Sequence, residues 1–298
     1  MKTKGINAAP ALVAVIYILL LISGMWSPSP TDENPYLSVI VIELLTFVLP
    51  ALFFLRLRGQ KYARRARVRL FEPGAVPFIV TASLALMLVS CVLKLATYAV
   101  FDYSLDVTDT YISYISSSPS GSELLFSALA FAVFPAITEE LVFRGIVLTE
   151  YEECGTVSAV IISSLLFAML HFDLKLFAVY FVSGVLLAVS AYACRSIIAP
   201  IIIHTLNNVF SLFFESYIWN SILQPRNIVI FSFVAVSLLL ISLMLLFGEA
   251  SRLYRSYGNF GADSSYVLKK SERTPVSIAL MSVPFAVCVL IFVFSVLI

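Results

Sequence analysis

Phe134-Pro-Ala-Ile-Thr-Glu-Glu-Leu-Val-Phe-Arg-Gly145 puts Glu139, Glu140 and Arg144 inside an apolar run from about 122 to 150. A membrane-crossing helix needs about 20 apolar residues, and this run exceeds that. An ionisable group at membrane depth costs at least about 2.5–3.5 kcal/mol on insertion scales. Such groups are not concentrated for packing, so the stretch reads as a working site inside a bilayer. Glu140 and Arg144 are four apart, acid first, and share one helix face. Glu139 is turned about 100° from Glu140 and can face a different neighbour. This spacing assigns Glu139 to chemistry and the Glu140–Arg144 pair to support. Pro135 lies one turn earlier and removes a backbone hydrogen bond. It is expected to kink the helix and leave a carbonyl to be satisfied beside the site.

The rest of the 298-residue chain agrees with the membrane reading. It is 60% hydrophobic and 12% charged, where soluble domains are about one quarter charged. Nine apolar runs cover about 8–26, 36–57, 75–101, 122–150, 155–172, 174–194, 197–217, 227–247 and 275–297. Continuous runs of this length exclude the short alternating segments of a β-barrel. The predicted fold class is therefore all-α, a polytopic transmembrane helical bundle of about 8–9 spans. It is expected to be a single transmembrane domain over 1–298, with core spans at 122–217. The first run follows Lys2 and Lys4 and exceeds the 7–15 apolar residues of a signal peptide, so it reads as a retained span. The longest loop, about 248–274, is too short for a core of its own. There is no internal repeat. Cys91, Cys154, Cys194 and Cys288 are scattered without CxxC spacing and read as small apolar helix residues. A net charge of +1 gives no argument for nucleic acid, and no nucleic-acid partner is expected.

Charge is distributed by loop. Arg56, Arg58, Lys61, Arg64, Arg65, Arg67 and Arg69 lie between the second and third runs. Arg252, Arg255, Lys269, Lys270 and Arg273 lie between the eighth and ninth. With nine spans both basic loops fall on one side with Lys2 and Lys4, the cytoplasmic side by the Lys/Arg rule. Asp32, Glu33, Asp102, Asp106 and Asp109 then fall on the other. The 56–69 stretch reads as a topology signal or as an anionic-lipid patch. Glu43 and Lys94 lie at matching depths, about seven residues from the outer ends of runs two and three. They are expected to pair, or Lys94 to snorkel, rather than to do chemistry.

The protein's two histidines both lie in apolar segments. The fifth run ends Phe167-Ala-Met-Leu-His171, and the seventh begins Ala199-Pro-Ile-Ile-Ile-His204-Thr-Leu-Asn-Asn208. His204 and Asn208 share a helix face. A histidine near a carboxylate can activate water as a general base. A second histidine with an amide can offer two donors to a developing oxyanion. Low dielectric strengthens both effects.

The ordered trio Glu139-Glu140-x-x-x-Arg144, Phe167-x-x-x-His171 and His204-x-x-x-Asn208 resembles the CAAX prenyl protease type II family. Its bacterial relatives are often called CPBP or ABI-type intramembrane proteases. The motifs are complete within about 134–210, and Pro200 and Gly184 also look like the family's core. The resemblance implies a hydrolase, an intramembrane endopeptidase of the glutamate type. By it Glu139 and His171 polarise the attacking water, and His204 and Asn208 form the oxyanion site. Glu140 and Arg144 support it. No cofactor is implied. Two Glu and two His could also ligate Zn²⁺, but the spacing is not His-Glu-x-x-His, and Arg144 beside the acids would repel a cation.

The expected substrate is a peptide or lipidated protein entering from the lipid bilayer, as in CAAX-type or bacteriocin processing. The expected location is an integral, multi-pass position in the plasma membrane of a prokaryote. The rival readings are a catalytically idle immunity or scaffold protein and a proton-coupled transporter. One geometric condition must hold. If the fifth run crosses outward, His171 ends far from His204. For them to meet, the hairpin at Phe172–Asp173 must stop part-way through the bilayer.

Overall fold

The computed structural model describes residues 4–24, 35–59, 66–101, 120–222, 225–259 and 275–297. All nine apolar runs are helical, and no strand occurs among the described residues. The all-α polytopic architecture is therefore as expected. Helix α1 is Lys4–Gly24, α2 Tyr36–Arg58, α3 Val76–Phe101 and α4 Gly121–Cys154. Then follow α5 Thr156–Met169, α6 Phe177–Ala193, α7 Ile198–Phe213 and α8 Glu215–Ile222. The last are α9 Pro225–Asn259, α10 Val276–Leu280 and α11 Val283–Leu297. Five of the described helices are long and apolar enough to cross a membrane, six if the bent α7–α8 pair is one span.

Helix α4 is the hub: it packs against α1, α2, α5 and α7, while α3 packs against α6, α7 and α9. Between Thr138 and Tyr151 nearly every α4 side chain is buried. Helix α9 presents Phe233, Leu240, Met244 and Phe247 outward, the face expected towards acyl chains. At 1.5 Å rise per residue the 14-residue α5 covers about 21 Å, well short of a hydrocarbon core of about 30 Å. A helix this short is compatible with an α5–α6 hairpin that stops part-way through a bilayer. Phe172 closes that hairpin with φ of 50°. Tyr17 of α1 holds it, packing edge-on to Phe172 at 5.4 Å and donating its hydroxyl to the Leu166 carbonyl.

Two runs differ from the sequence reading. The ninth is broken at Met281–Ser282 because Pro284 cannot continue a helix and its ring meets the carbonyl four residues back, at Leu280. The seventh bends by 49° at Phe214, where Glu215 opens α8.

The basic segments between α2 and α3 and along α9 meet at one end of the bundle. Arg58 pairs with Glu150 at 3.0 Å, and Arg67 pairs with Glu152. Arg69 Nε donates to the Arg195 carbonyl at 2.7 Å, and Arg252 Nη2 donates to the Gly74 carbonyl at 2.6 Å. Lys2, Lys61, Arg64, Arg65, Lys269, Lys270 and Arg273 lie outside the described residues, as do the acidic Asp32, Glu33, Asp102, Asp106 and Asp109.

Candidate active site

Three stretches with i→i+5 hydrogen bonds lie near the acids: Leu44–Val48 in α2, and Leu129–Val133 and Leu141–Val147 in α4. Such wide turns concentrate at functional sites. The first in α4 accommodates Pro135, which has no N–H to give. The amide of Asn208 reaches the Ala132 carbonyl in that turn at 3.5 Å. A carbonyl beside the site thus finds a partner on α7. The second wide turn begins just after Glu140 and brings Arg144 nearly over it.

Glu140 and Arg144 are wholly buried, with Nη1 2.6 Å from Glu140 Oε1. Arg144 Nη2 donates to the Gly184 carbonyl on α6 at 2.9 Å. That reach depends on close packing of α6 on α5. A Cβ at Gly184 would lie 3.0 Å from both Cα and Cβ of Ser164, so a larger residue must push the helices apart. The Arg144 guanidinium also sits 4.5 Å from the centre of the Phe167 ring.

His204 Nδ1 lies 3.1 Å from the same Glu140 oxygen. With Nδ1 as donor to that carboxylate, Nε2 remains for another partner. His171 sits in the turn just after α5. Its Nδ1 lies 3.0 Å from the Phe167 carbonyl, which can only accept. Nδ1 is therefore the donor in that contact, which leaves Nε2 to act as a base in the neutral ring. Phe167 is the common neighbour: its ring centre is 5.1 Å from that of His171 and 5.8 Å from that of His204. Tyr180 stacks on the His171 ring at 3.7 Å.

The structure thus joins Glu140, Arg144 and His204 directly, His171 to them through Phe167, and Asn208 to α4 through a backbone carbonyl. Glu139 is buried beside this group, and its Oε2 has no hydrogen-bond partner. Nor have Glu140 Oε2 and Arg144 Nε. No hydrogen bond joins Glu139 to His171 among the described contacts; they stand on adjoining elements. Among the described residues no group of three or more His, Cys, Asp or Glu is arranged to hold a metal ion.

One expectation fails. Glu43 does not pair with Lys94, because α3 faces α6, α7 and α9 rather than α2. Lys94 Nζ instead meets Glu215 at 2.7 and 2.8 Å. Glu43 accepts from Thr138 Oγ1 at 3.0 Å, one residue from Glu139. Sequence reading also missed Tyr180. Its place three residues into α6 carries no signal until the α5–α6 turn is known.

A helical membrane bundle whose centre holds acids, two imidazoles, a guanidinium and an amide belongs to the class of intramembrane polar sites. Residues 121–210, which contain every one of these motifs, match the family model described as Type II CAAX prenyl endopeptidase Rce1-like. The chain is 30% identical over 112 residues to the membrane-embedded CAAX protease MroQ of Staphylococcus aureus (strain USA300). That match covers 33% of this chain and 45% of the relative, so less than half of the relative's length is represented. No solved structure matches significantly. By these matches the 121–210 segment is similar to the CAAX protease family.

Proposed function

We propose that this chain is an intramembrane endopeptidase that cleaves a peptide bond of a membrane-embedded or lipidated substrate, in a prokaryotic plasma membrane, by attack of activated water. The observation that carries the reading is the contrast between the two acids within the family-matched segment. Oε1 of Glu140 is held by both Arg144 and His204, while no ion pair or side-chain hydrogen bond among the described residues holds Glu139, and Oε2 of each acid is buried without a partner. An unsatisfied buried carboxylate oxygen is costly and calls for a functional reason.

In this reading one water donates its protons towards the Glu139 carboxylate and His171 Nε2. Its oxygen attacks the scissile carbonyl carbon while the proton passes to Glu139. The oxyanion accepts from His204 Nε2–H and from Asn208. The amide has two N–H donors, so one contact to Ala132 leaves one for substrate. Because Nδ1 of His204 serves Glu140, its Nε2 donates only when the ring is an imidazolium. Glu139 then returns the proton to the leaving amine as the C–N bond breaks. Phe167 and Tyr180 hold the His171 ring, and Gly184 and Glu140 hold Arg144.

No metal enters. The support for this is the donor set: one Glu140 oxygen already accepts two hydrogen bonds, His171 Nδ1 is engaged by backbone, and the Arg144 guanidinium repels a cation. The test is end-proteomics of membrane peptides from cells carrying wild type or Glu139→Gln. Peptide ends present only with wild type are expected. Identical sets of ends would overturn the reading and favour an idle binding protein.

A further inference from the structure

The last carbonyls of a helix have no partners inside it, so what they bond to decides how the chain leaves. At the end of α5 that accounting centres on His171. The Leu166 carbonyl accepts from Leu170 N at 3.2 Å, as in a regular helix, and also from the Tyr17 hydroxyl of α1. Beyond it the turn tightens. His171 N donates to the Ala168 carbonyl at 3.3 Å and Phe172 N to the Met169 carbonyl at 3.2 Å, each only three residues back. A continuing α-helix would give the Phe167 carbonyl to the His171 amide. Here that carbonyl is left for the imidazole, whose Nδ1 lies 3.0 Å away.

The tightened turn closes on Phe172, whose φ of 50° is left-handed. A bulky residue keeps that conformation only where its surroundings hold it. The Tyr17 ring supplies the hold, edge-on to Phe172 at 5.4 Å. Tyr17 is wholly buried and grips the segment at Leu166 and at Phe172, on both sides of His171. Phe167 and Tyr180 touch the ring; Tyr17 touches the turn that carries it. The other limb of the hairpin has a separate contact, Phe292 of α11 against Phe177 at the start of α6, 5.7 Å between ring centres. Both Tyr17 and Phe292 lie outside the family-matched residues 121–210.

We propose that Tyr17 is a positioning residue for His171: it locks the turn after α5 so that the ring keeps its proton on Nδ1 and Nε2 stays the acceptor. The consequence for turnover rests on the protease reading; the hold on the ring does not.

The experiment compares wild type, Tyr17→Phe and Phe292→Leu, each as the full chain in lipid nanodiscs. Tyr17→Phe keeps the ring, and Leu166 keeps Leu170 as a partner, so this variant is expected to fold. The chain has two histidines, so ¹⁵N-histidine labelling gives two imidazoles for nuclear magnetic resonance, told apart in His204→Gln. At alkaline pH the wild type is expected to show His171 with its proton on Nδ1. Tyr17→Phe is expected to show a mixture of the two His171 tautomers with His204 unmoved, and Phe292→Leu to match wild type. In Tyr17→Phe, kcat is expected to fall roughly 10- to 100-fold with KM little changed. A His171 signal in Tyr17→Phe identical to wild type reduces Tyr17 to packing and overturns the proposal. Equal shifts in His204, or in Phe292→Leu, show a general loosening and overturn it too. A rise in KM with kcat unchanged overturns the positioning role. Absence of turnover in wild type defeats the protease reading alone, and the tautomer arms still decide whether Tyr17 sets the ring.

Discussion

Two of the buried charge clusters among the described residues are built to different ends. Around Glu215 every acceptor is used. Oε1 takes Lys94 Nζ at 2.7 Å and Trp219 Nε1 at 3.0 Å, and Oε2 takes Lys94 Nζ at 2.8 Å and Ser211 Oγ. The cluster sits where α7 gives way to α8 at 49°, and it braces that bend. Around Glu139 and Glu140 the pairing is incomplete: Glu139 Oε2, Glu140 Oε2 and Arg144 Nε are all buried without partners. Fully satisfied polar networks rigidify; partly satisfied ones mark sites where something else must bind or react. The difference teaches that buried charge alone does not locate chemistry in a membrane protein. What sets the Glu139–Glu140–Arg144 group apart is several such unspent positions side by side within the family-matched residues.

The comparison breaks most sharply at the acids and bases. Glu139→Gln and His171→Ala are each expected to lower turnover roughly 100- to 10,000-fold, the usual worth of a general base, with unfolding unchanged. Peptide cleavage by the reconstituted protein, alongside thermal unfolding in detergent, measures both. Next come His204→Ala and Asn208→Ala, expected to lower kcat roughly 100- to 1,000-fold with little change in KM, as for transition-state donors. A change confined to KM would count against the oxyanion assignment.

Stability sharpens the contrast further. Arg144→Met leaves Glu140 buried with only His204 as partner and is expected to cost about 3–5 kcal/mol. By contrast, replacing both Lys94 and Glu215 with apolar residues of similar size should be near neutral, while Lys94→Met alone should destabilise. Equal costs for the single and double replacement would show that Glu215 does not depend on Lys94. The smallest effect is at Gly184. Gly184→Ala must displace Ser164 and is expected to cost about 1–3 kcal/mol, with turnover falling as the Gly184 carbonyl moves from Arg144. An unchanged unfolding temperature would show that α6 yields without strain.

Much of this was legible in the sequence. Apolar run length gave the helices, and four-residue spacing gave the Glu140–Arg144 pair, because both are properties of one segment. What was not legible depended on which segments become neighbours. Equal depth suggested that Glu43 and Lys94 would pair, but depth says nothing about azimuth around the bundle, and α3 turns Lys94 towards α7 and α8. Helix ends slipped for a related reason. Composition does not distinguish residues 276–297 as one span, whereas the ring of Pro284 divides them at Leu280. Tyr180 and Thr138 gain meaning only once the turn after His171 and the inner face of α2 are placed.

The most direct measurement is cleavage of an isoprenylated CAAX-type peptide panel and of extracted membrane peptides by the purified, reconstituted chain, with Glu139→Gln set against Glu215→Gln. The account predicts that Glu139→Gln is folded and inert, while the folded fraction of Glu215→Gln turns over at near the wild-type rate. Undiminished cleavage by Glu139→Gln, with loss of cleavage in well-folded Glu215→Gln, would contradict it.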